Sequence, residues 1–404
     1  MGRGGGSGRE RTPSACSHQP GAVSILFWAT LLLLLVIVAS GLDVLIGLGR
    51  LEPLAGIPPL TGPGPRVTLV TAARDEERGI EAAARSLFAQ DYPALDFVMV
   101  DDRSTDRTGA ILDALAEREP RLQVVHLREV PSGWLGKNNA LQQGANAARG
   151  EWILFADADI VMHPSTVARA IGFVERRGVD HLTLLPDLVM PGLLLKAFVS
   201  AFIIWFSGYL RPWKARDPNS RFFVGVGAFN LVRVRAYAAA GGHAPIRMRP
   251  DDDLKLGKIL KRSGARQDVV LGRGLVSVEW YHSLREAIEG LMKNSFAVVE
   301  YNAFLMVLGA AAYCLIGLGP LAVLLFGEGS VRAMGAIAVG FQLLVHLRGA
   351  REAGAPPQAA LLYPLISMVF CWIVLRAMVL NLRDGGITWR GTFYPLGELR
   401  RNRV

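Results

Sequence analysis

The chain has 404 residues, is 51% hydrophobic and has a mean hydropathy of +0.30, which excludes an ordinary soluble protein of this length. Its net charge of +9 and pI near 9.7 call for an acidic partner. The basic residues are spread thinly and lack interleaved surface aromatics, so anionic membrane lipid and phosphorylated substrates fit better than nucleic acid, which is not expected as a partner. Cys16, Cys314 and Cys371 lie far apart in sequence, with neither metal-ligand spacing nor a disulfide framework.

Residues 1–20 are rich in Gly, Ser, Arg and Pro and are expected to form a disordered tail. Ala22–Ile46 is apolar except for Asp43 and long enough to cross a bilayer, which predicts a transmembrane anchor over 21–48. A cleaved signal peptide is the rival, because basic residues precede this run and Val38-Ala39-Ser40 is a tolerable cleavage site. The length of the run favours the anchor. Leu51–Pro65 reads as a Pro/Gly linker.

From residue 66 the pattern alternates. Strands are expected over Val67–Ala72, Phe97–Val100, Leu122–Leu127 and Trp152–Ala156, with helices over Glu76–Ala89, Asp106–Arg118 and Asn138–Ala148 between them. Such alternation predicts an α/β domain with a mostly parallel sheet and a ligand site outside the strand carboxyl ends. Pro191–Leu210 is apolar except for Lys196, and basic residues and Trp213 follow it. Inside a folded domain a span would split that domain between two compartments, so residues 190–214 are expected to lie in the membrane interface, as is the amphipathic stretch 284–300. Three further candidate spans, Ala303–Phe326, Ala333–Leu347 and Leu361–Leu382, fill residues 301–383, and 384–404 reads as a basic tail.

Acids gather where strands end. Glu151-Trp152-Ile153-Leu154-Phe155-Ala156-Asp157-Ala158-Asp159 is a buried strand closing on two carboxylates. In extended chain alternate side chains share a face, so Asp157 and Asp159 can point together. A hard cation held by these carboxylates and a substrate phosphate accounts for them better than packing does, because an unpaired buried charge is costly. A second group surrounds Thr71-Ala72-Ala73-Arg74-Asp75-Glu76-Glu77. A third is Asp101-Asp102-Arg103-Ser104-Thr105-Asp106, where Asp102 can accept from a base or ribose and Ser104 or Thr105 can cap the next helix. Gly136-Lys137 opens a helix, where amides and dipole suit phosphate. Asp251-Asp252-Asp253 starts a helix over Leu254–Arg262, either as caps or with one acid serving as a base.

In this order, "TAARDEERGIEAAARSLFAQDYP", "VDDRSTDRT", "GKNNALQQGANAARGEWILFADADI", "GGH" and "DDDLKLGKILKRSG" resemble the family 2 glycosyltransferases of GT-A (Rossmann-like) fold over residues 66–300, most of all the membrane enzymes that glycosylate ceramides, hopanoids and carotenoids. The resemblance implies an inverting transferase that moves sugar from a nucleotide-diphosphate sugar to a lipid acceptor. The implied enzyme is a multi-pass protein of the cell membrane with a cytoplasmic catalytic domain, and it uses Mg²⁺ or Mn²⁺. Thr71, Ala73, Asp75 and Asp102 would hold base and ribose, Lys137 the diphosphate, and Asp157 and Asp159 would match the DXD motif, with Asp159 as the metal ligand. Counting back from Gly264 makes Asp253 the base and puts Asp252 where the family usually has Glu.

The sequence departs from the family at Asp75, where Asn is common, and lacks the Gln/Arg-x-x-Arg-Trp motif of processive synthases. In that region Lys293 could supply charge at the diphosphate or snorkel at the interface. His243 is expected to pack in its loop. A processive polysaccharide synthase and a silent membrane scaffold are the rival functions.

Overall fold

A computed structural model describes residue 2 and residues 20–404, so residues 3–19 of the expected tail, Cys16 among them, lie outside the described residues. Helix α1 (Pro20–Gly49) carries the expected anchor as one helix. The linker after it is docked to the domain: Leu54 is fully buried, and the Leu271 amide donates to the Glu52 carbonyl at 2.9 Å.

The first half of the domain alternates as the sequence predicts, in β1 (Val67–Ala73), α2 (Ile80–Phe88), β2 (Leu95–Asp102), α3 (Thr108–Ala116), β3 (Leu122–Leu127), α4 (Gly136–Ala147) and β4 (Trp152–Phe155). α2 starts later than the expected Glu76 because the preceding residues are held by the neighbouring loop. The Glu76 amide donates to Thr108 Oγ1 at 2.8 Å and the Glu77 amide to Asp106 Oδ2 at 3.1 Å. The chain continues through β5 (Ile160–Met162), α5 (Thr166–Arg177), β6 (His181–Leu185), β7 (Asp187–Leu188), α6 (Leu193–Leu210), β8 (Asn230–Arg233), α7 (Val234–Ala239), α8 (Asp252–Arg262), β9 (Gln267–Leu271) and β10 (Val276–Val278).

Seven strands form the main sheet in the order β3-β2-β1-β4-β8-β6-β9, parallel except for β8, which is antiparallel to both neighbours. Their buried faces read as nearly continuous Val, Leu, Ile and Phe, as a sheet covered on both sides requires. The register Ala73↔Asp101 brings the carboxyl ends of β1 and β2 level, while β4 ends opposite Val70, so that the residues after Phe155 run on toward the same edge. The inverted β8 delivers its amino end to the same edge, with Asn230 opposite Phe155. That edge therefore collects Asp102, Asp157 and the glycine-rich approach to β8. β5, β10 and β7 make a small second sheet beside it.

The amphipathic stretch becomes α9 (Leu284–Val298), capped by Ser283, whose hydroxyl accepts from the Glu286 amide at 3.1 Å. Three apolar helices follow: α10 (Ala303–Phe326), α11 (Gly329–Glu352) and α12 (Tyr363–Arg383). Among the described residues five helices, these three with α1 and α6, are long and apolar enough to cross a membrane. α11 is longer than the expected Ala333–Leu347. Its polar residues are absorbed inside the bundle, where Gln342 donates to the Ile316 carbonyl and accepts from Tyr363. α11 ends against the domain, its Glu352 paired with Arg273. The chain then doubles back, so that Tyr363 stacks on His346, and α12 runs antiparallel to α10 with Cys371 Sγ 3.5 Å from the Ala310 carbonyl.

Where the sequence suggests only a basic tail, the chain folds. β11 (Gly386–Trp389) and β12 (Thr392–Pro395) form a hairpin, and α13 (Leu396–Arg401) packs behind it with Leu399 fully buried. Arg400 donates to the Tyr301 carbonyl, and Asn402 accepts from the Met248 amide. The carboxyl terminus thus sits on the same side as the α/β domain, which the count of apolar segments left open.

Candidate active site

Just past β4, Asp157 is fixed by its amide, which donates to the Gly227 carbonyl at 3.0 Å. A Cβ at Gly227 would lie 2.3 Å from Asp157 Oδ2, so only glycine admits the carboxylate there. Two residues earlier, a Cβ at Gly225 would run into the Asp253 carbonyl oxygen. These two contacts pin the amino end of α8 against the entry to β8 and bring Asp252 and Asp253 to Asp157. The sequence reading passed over Gly225-Val226-Gly227, although two glycines flanking a valine ahead of a buried strand signal a close backbone approach.

Lys137, in the first turn of α4, joins the acids. Its Nζ is 2.9 Å from Asp157 Oδ1 and 3.5 Å from Asp252 Oδ2. Burial alone would lower the Lys137 amine, but Asp157, Asp252 and Asp253 outweigh it and hold the amine above its usual range. Burial raises both the Asp252 and Asp253 carboxyls. Asp253 is oriented by backbone, its two oxygens accepting from the Gly227 amide at 2.8 Å and its neighbour Leu254 at 2.7 Å.

Asp159 opens into the same cleft and has no ion pair among the described residues. Desolvation by the cleft walls, then the charge of Asp157, push its carboxyl up to about 6. The protein supplies no complete cage: among the described residues no three metal-ligating groups are grouped. An all-oxygen pair with a surplus of negative charge beside a helix amino end has the chemistry to hold a hard divalent cation whose remaining ligands come from a phosphate.

The expected nucleotide residues divide. Ala73 and Asp102 line a cleft of about 200 Å³ together with Lys137, Asp157 and Asp159. Asp102 is buried and paired with Arg103 at 2.8 Å, and a Cβ at Gly136 would lie 2.5 Å from its Oδ2. Thr71, two residues before Ala73 on β1, is fully buried, and its hydroxyl has no hydrogen-bond partner among the described residues. Asp75 turns its carboxylate onto Thr105, accepting from that amide at 2.7 Å, so it ties the first acidic loop to the second. Its φ of 55° puts it in the left-handed region, where Asp and Asn are tolerated far better than branched residues. His243 is buried away from the cleft, with its Nδ1 2.6 Å from Tyr237 Oη and its ring against Phe155.

The remaining wall comes from segments that sequence reasoning placed elsewhere. Trp389, Arg390 and Tyr394 of the carboxyl-terminal hairpin line the cleft, as does Lys293 of α9. Arg390 donates to the Arg74 carbonyl and to Glu76 Oε1, the latter at 2.8 Å. The alternation of Thr388-Trp389 and Phe393-Tyr394 about Arg390-Gly391 is a hairpin signal that could have shown this element.

Beyond the acids, a cavity of about 630 Å³ runs from Lys137, Asp157, Asp159, Asp252 and Asp253 into the space between α6, α9, α10 and α12. Its far walls are apolar and aromatic, including Phe202, Trp205, Trp280, Met306, Tyr313 and Phe370. Trp205 packs on Phe370 with ring centroids 4.7 Å apart, joining α6 to α12.

The model of the family described as Glycosyl transferase family 2 matches residues 68–237. The succinoglycan biosynthesis protein ExoO of Rhizobium meliloti is 30% identical over 176 residues, covering 38% of this chain and 49% of that protein. This chain therefore spans about half the length of that relative. The 4,4'-diaponeurosporenoate glycosyltransferase of Staphylococcus aureus is 22% identical over 339 residues, covering 82% of this chain and 89% of that protein. Among solved structures, a mannosyltransferase from Pyrobaculum calidifontis in complex with GDP-Man and Mn²⁺ is similar with a TM-score of 0.53 and 21% identity, covering 89% of this chain and 99% of that one. That likeness shows a shared GT-A fold, and the match over β1 to α7 shows that the chain carries a domain of glycosyltransferase family 2.

Proposed function

We propose that the chain is a membrane-bound inverting glycosyltransferase that moves a sugar from a nucleotide-diphosphate sugar to a lipid acceptor. The observation that carries this reading is one cavity whose one end holds Asp157, Asp159, Asp251, Asp252, Asp253 and Lys137 and whose other end is walled by apolar helices. A polar donor and an apolar acceptor meet in it without either leaving its preferred surroundings. The glycosyltransferase acting on diaponeurosporenoate supports a lipid-related acceptor, and the mannosyltransferase holding GDP-Man and Mn²⁺ supports the donor class and a divalent cation.

In this mechanism Ala73 and Asp102 border the nucleotide, and Asp75 and Thr71 shape the wall behind it. The amino end of α4 and Lys137 hold the diphosphate. Asp159, with Asp157, would hold Mg²⁺ or Mn²⁺, which neutralises charge on the leaving diphosphate when bound. Asp253, oriented by the Gly227 amide, takes the proton of the acceptor hydroxyl as its oxygen attacks the anomeric carbon. Asp252 lies beside Lys137 and balances its charge. This reading assigns the catalytic domain, and with it the carboxyl terminus that packs on it, to the cytoplasmic face, where nucleotide sugars are made.

The test is release of nucleoside diphosphate from a panel of labelled sugar donors with total membrane lipid as acceptor, followed by mass analysis of the product. Wild type should turn over at least one donor, with Asp159→Ala and Asp253→Asn largely inactive. Equal turnover in all three removes the mechanism. The name of the Rhizobium relative favours a second reading, polysaccharide synthesis, which a ladder of lengthening water-soluble products would establish.

A further inference from the structure

Lys293 is a cation of the cleft that the described chain leaves without a counter-charge. Its amine makes no hydrogen bond or ion pair among the described residues, and its one charge-related contact is the face of Trp389, 5.7 Å from the ring centroid. It borders both the 200 Å³ cleft and the 630 Å³ cavity. Lys137 and Arg390 line the same cleft, and burial, then the charges of Arg390 and Lys137, push the Lys293 amine down. Tyr394 completes the group, its hydroxyl accepting from the Gly136 amide at 3.4 Å, at the first turn of α4.

An unpaired, partly desolvated lysine beside a helix amino terminus is costly unless an anion arrives. None of the cleft acids pairs with it: Asp157 is taken by Lys137, Asp102 by Arg103 and Glu76 by Arg390, and Asp159 stands beyond ion-pair distance of every described base. Arg390 gives Glu76 and the Arg74 carbonyl two of its five donors and keeps the others.

We propose that the carboxyl-terminal hairpin is part of the donor site: Arg390 and Lys293, steadied by Trp389, bind the diphosphate of the sugar nucleotide. This rests on the glycosyltransferase reading above. As the acceptor oxygen bonds to the anomeric carbon, the bond from that carbon to the terminal phosphate oxygen breaks. Its electron pair stays on the phosphate, and the acceptor proton goes to Asp253. Arg390 and Lys293 face the charge that develops there, an electrostatic contribution greatest in a site closed to water. The hairpin thereby supplies an Arg and a Trp to a cleft whose α9 lacks the Arg-Trp motif.

The experiment measures binding of UDP and GDP, with Mn²⁺, and of uridine and guanosine to the full-length protein in detergent, for wild type, Lys293→Met, Arg390→Gln and Arg390→Lys. The diphosphate bound by wild type should weaken roughly tenfold or more in Lys293→Met and Arg390→Gln. Arg390→Lys should recover part of the loss, and the matching nucleoside should bind all four alike. Unchanged diphosphate affinity in both charge-removing variants overturns the proposal, as does an equal loss for the nucleoside, which would mark a merely structural hairpin. Wild type that binds neither diphosphate would bring down the glycosyltransferase reading itself.

Discussion

Asp251, Asp252 and Asp253 are consecutive, and the fold gives the first a different fate from the other two. Asp251 closes a balanced network. Arg249, fully buried, grips it through Nε at 2.9 Å and Nη2 at 3.0 Å, and Lys255 stands 3.5 Å away. Glu300 completes the square, 2.7 Å from both bases. Two acids face two bases there, and the network ties α8 to the turn between α9 and α10. Asp252 and Asp253 share Lys137 with Asp157, so one lysine faces three acids, and those acids open to the cavity. Compensated charge holds the scaffold together, whereas uncompensated charge at a cavity wall awaits a ligand.

The largest effect should come from the open cluster. Asp253→Asn should lower turnover by roughly 10²–10⁴-fold, the usual worth of a positioned base, with the thermal midpoint unchanged or higher. Lost activity accompanied by lost folding would place Asp253 with Asp251. The closed network should respond the other way. Arg249→Met leaves Asp251 and Glu300 to share Lys255, two acids on one base, and should destabilise the fold by about 3–5 kcal/mol, read by denaturant or thermal unfolding. A fully stable Arg249→Met protein would erase the distinction.

A smaller effect follows from two histidines that belong to neither cluster. Burial pushes His181 down to about 4, and burial followed by the charge of Lys137 pushes His243 down to about 3, from 6.5. As pH falls below 6.5 the unfolded chain takes up protons that the folded chain refuses, so stability drops. The slope approaches about 1.4 kcal/mol per pH unit for each histidine, and the His181 share levels off below pH 4. Thermal midpoints measured from pH 7 to pH 4 check this, and His243→Gln should flatten the slope. The smallest change is expected at the apolar end of the cavity. Trp205→Ala should raise the acceptor KM several-fold and leave the donor KM alone, read by steady-state kinetics with each substrate varied in turn. An equal rise in both would show that the two ends of the cavity are not separate subsites.

Much of the site was legible because it follows local rules. β4 ends in Asp157-Ala158-Asp159, β2 ends in Asp102, and Lys137 opens α4, each read from a buried run meeting a polar turn. Legibility failed where a residue's role depends on distant chain. Asp75 and Thr71 are expected at the nucleotide, yet no local rule shows that the Thr105 amide donates to Asp75 Oδ1 or that the Thr71 hydroxyl is buried. Trp389 and Arg390 carry no local mark of the cleft, because more than three hundred residues separate Arg390 from the Arg74 carbonyl it meets.

The sequence by itself determined the alternation of strand and helix, the apolar helices around the domain and the acids at the strand ends, since these depend on periodicity and on what the next few residues can cap or bury. Only the tertiary structure decided which acids are balanced, which lysine stands without a partner, and that the last residues fold back over the cleft. Charge balance is set by neighbours in space, and pairings such as Arg390 with Glu76 or Asn402 with the Met248 amide close only after the helices between them have packed.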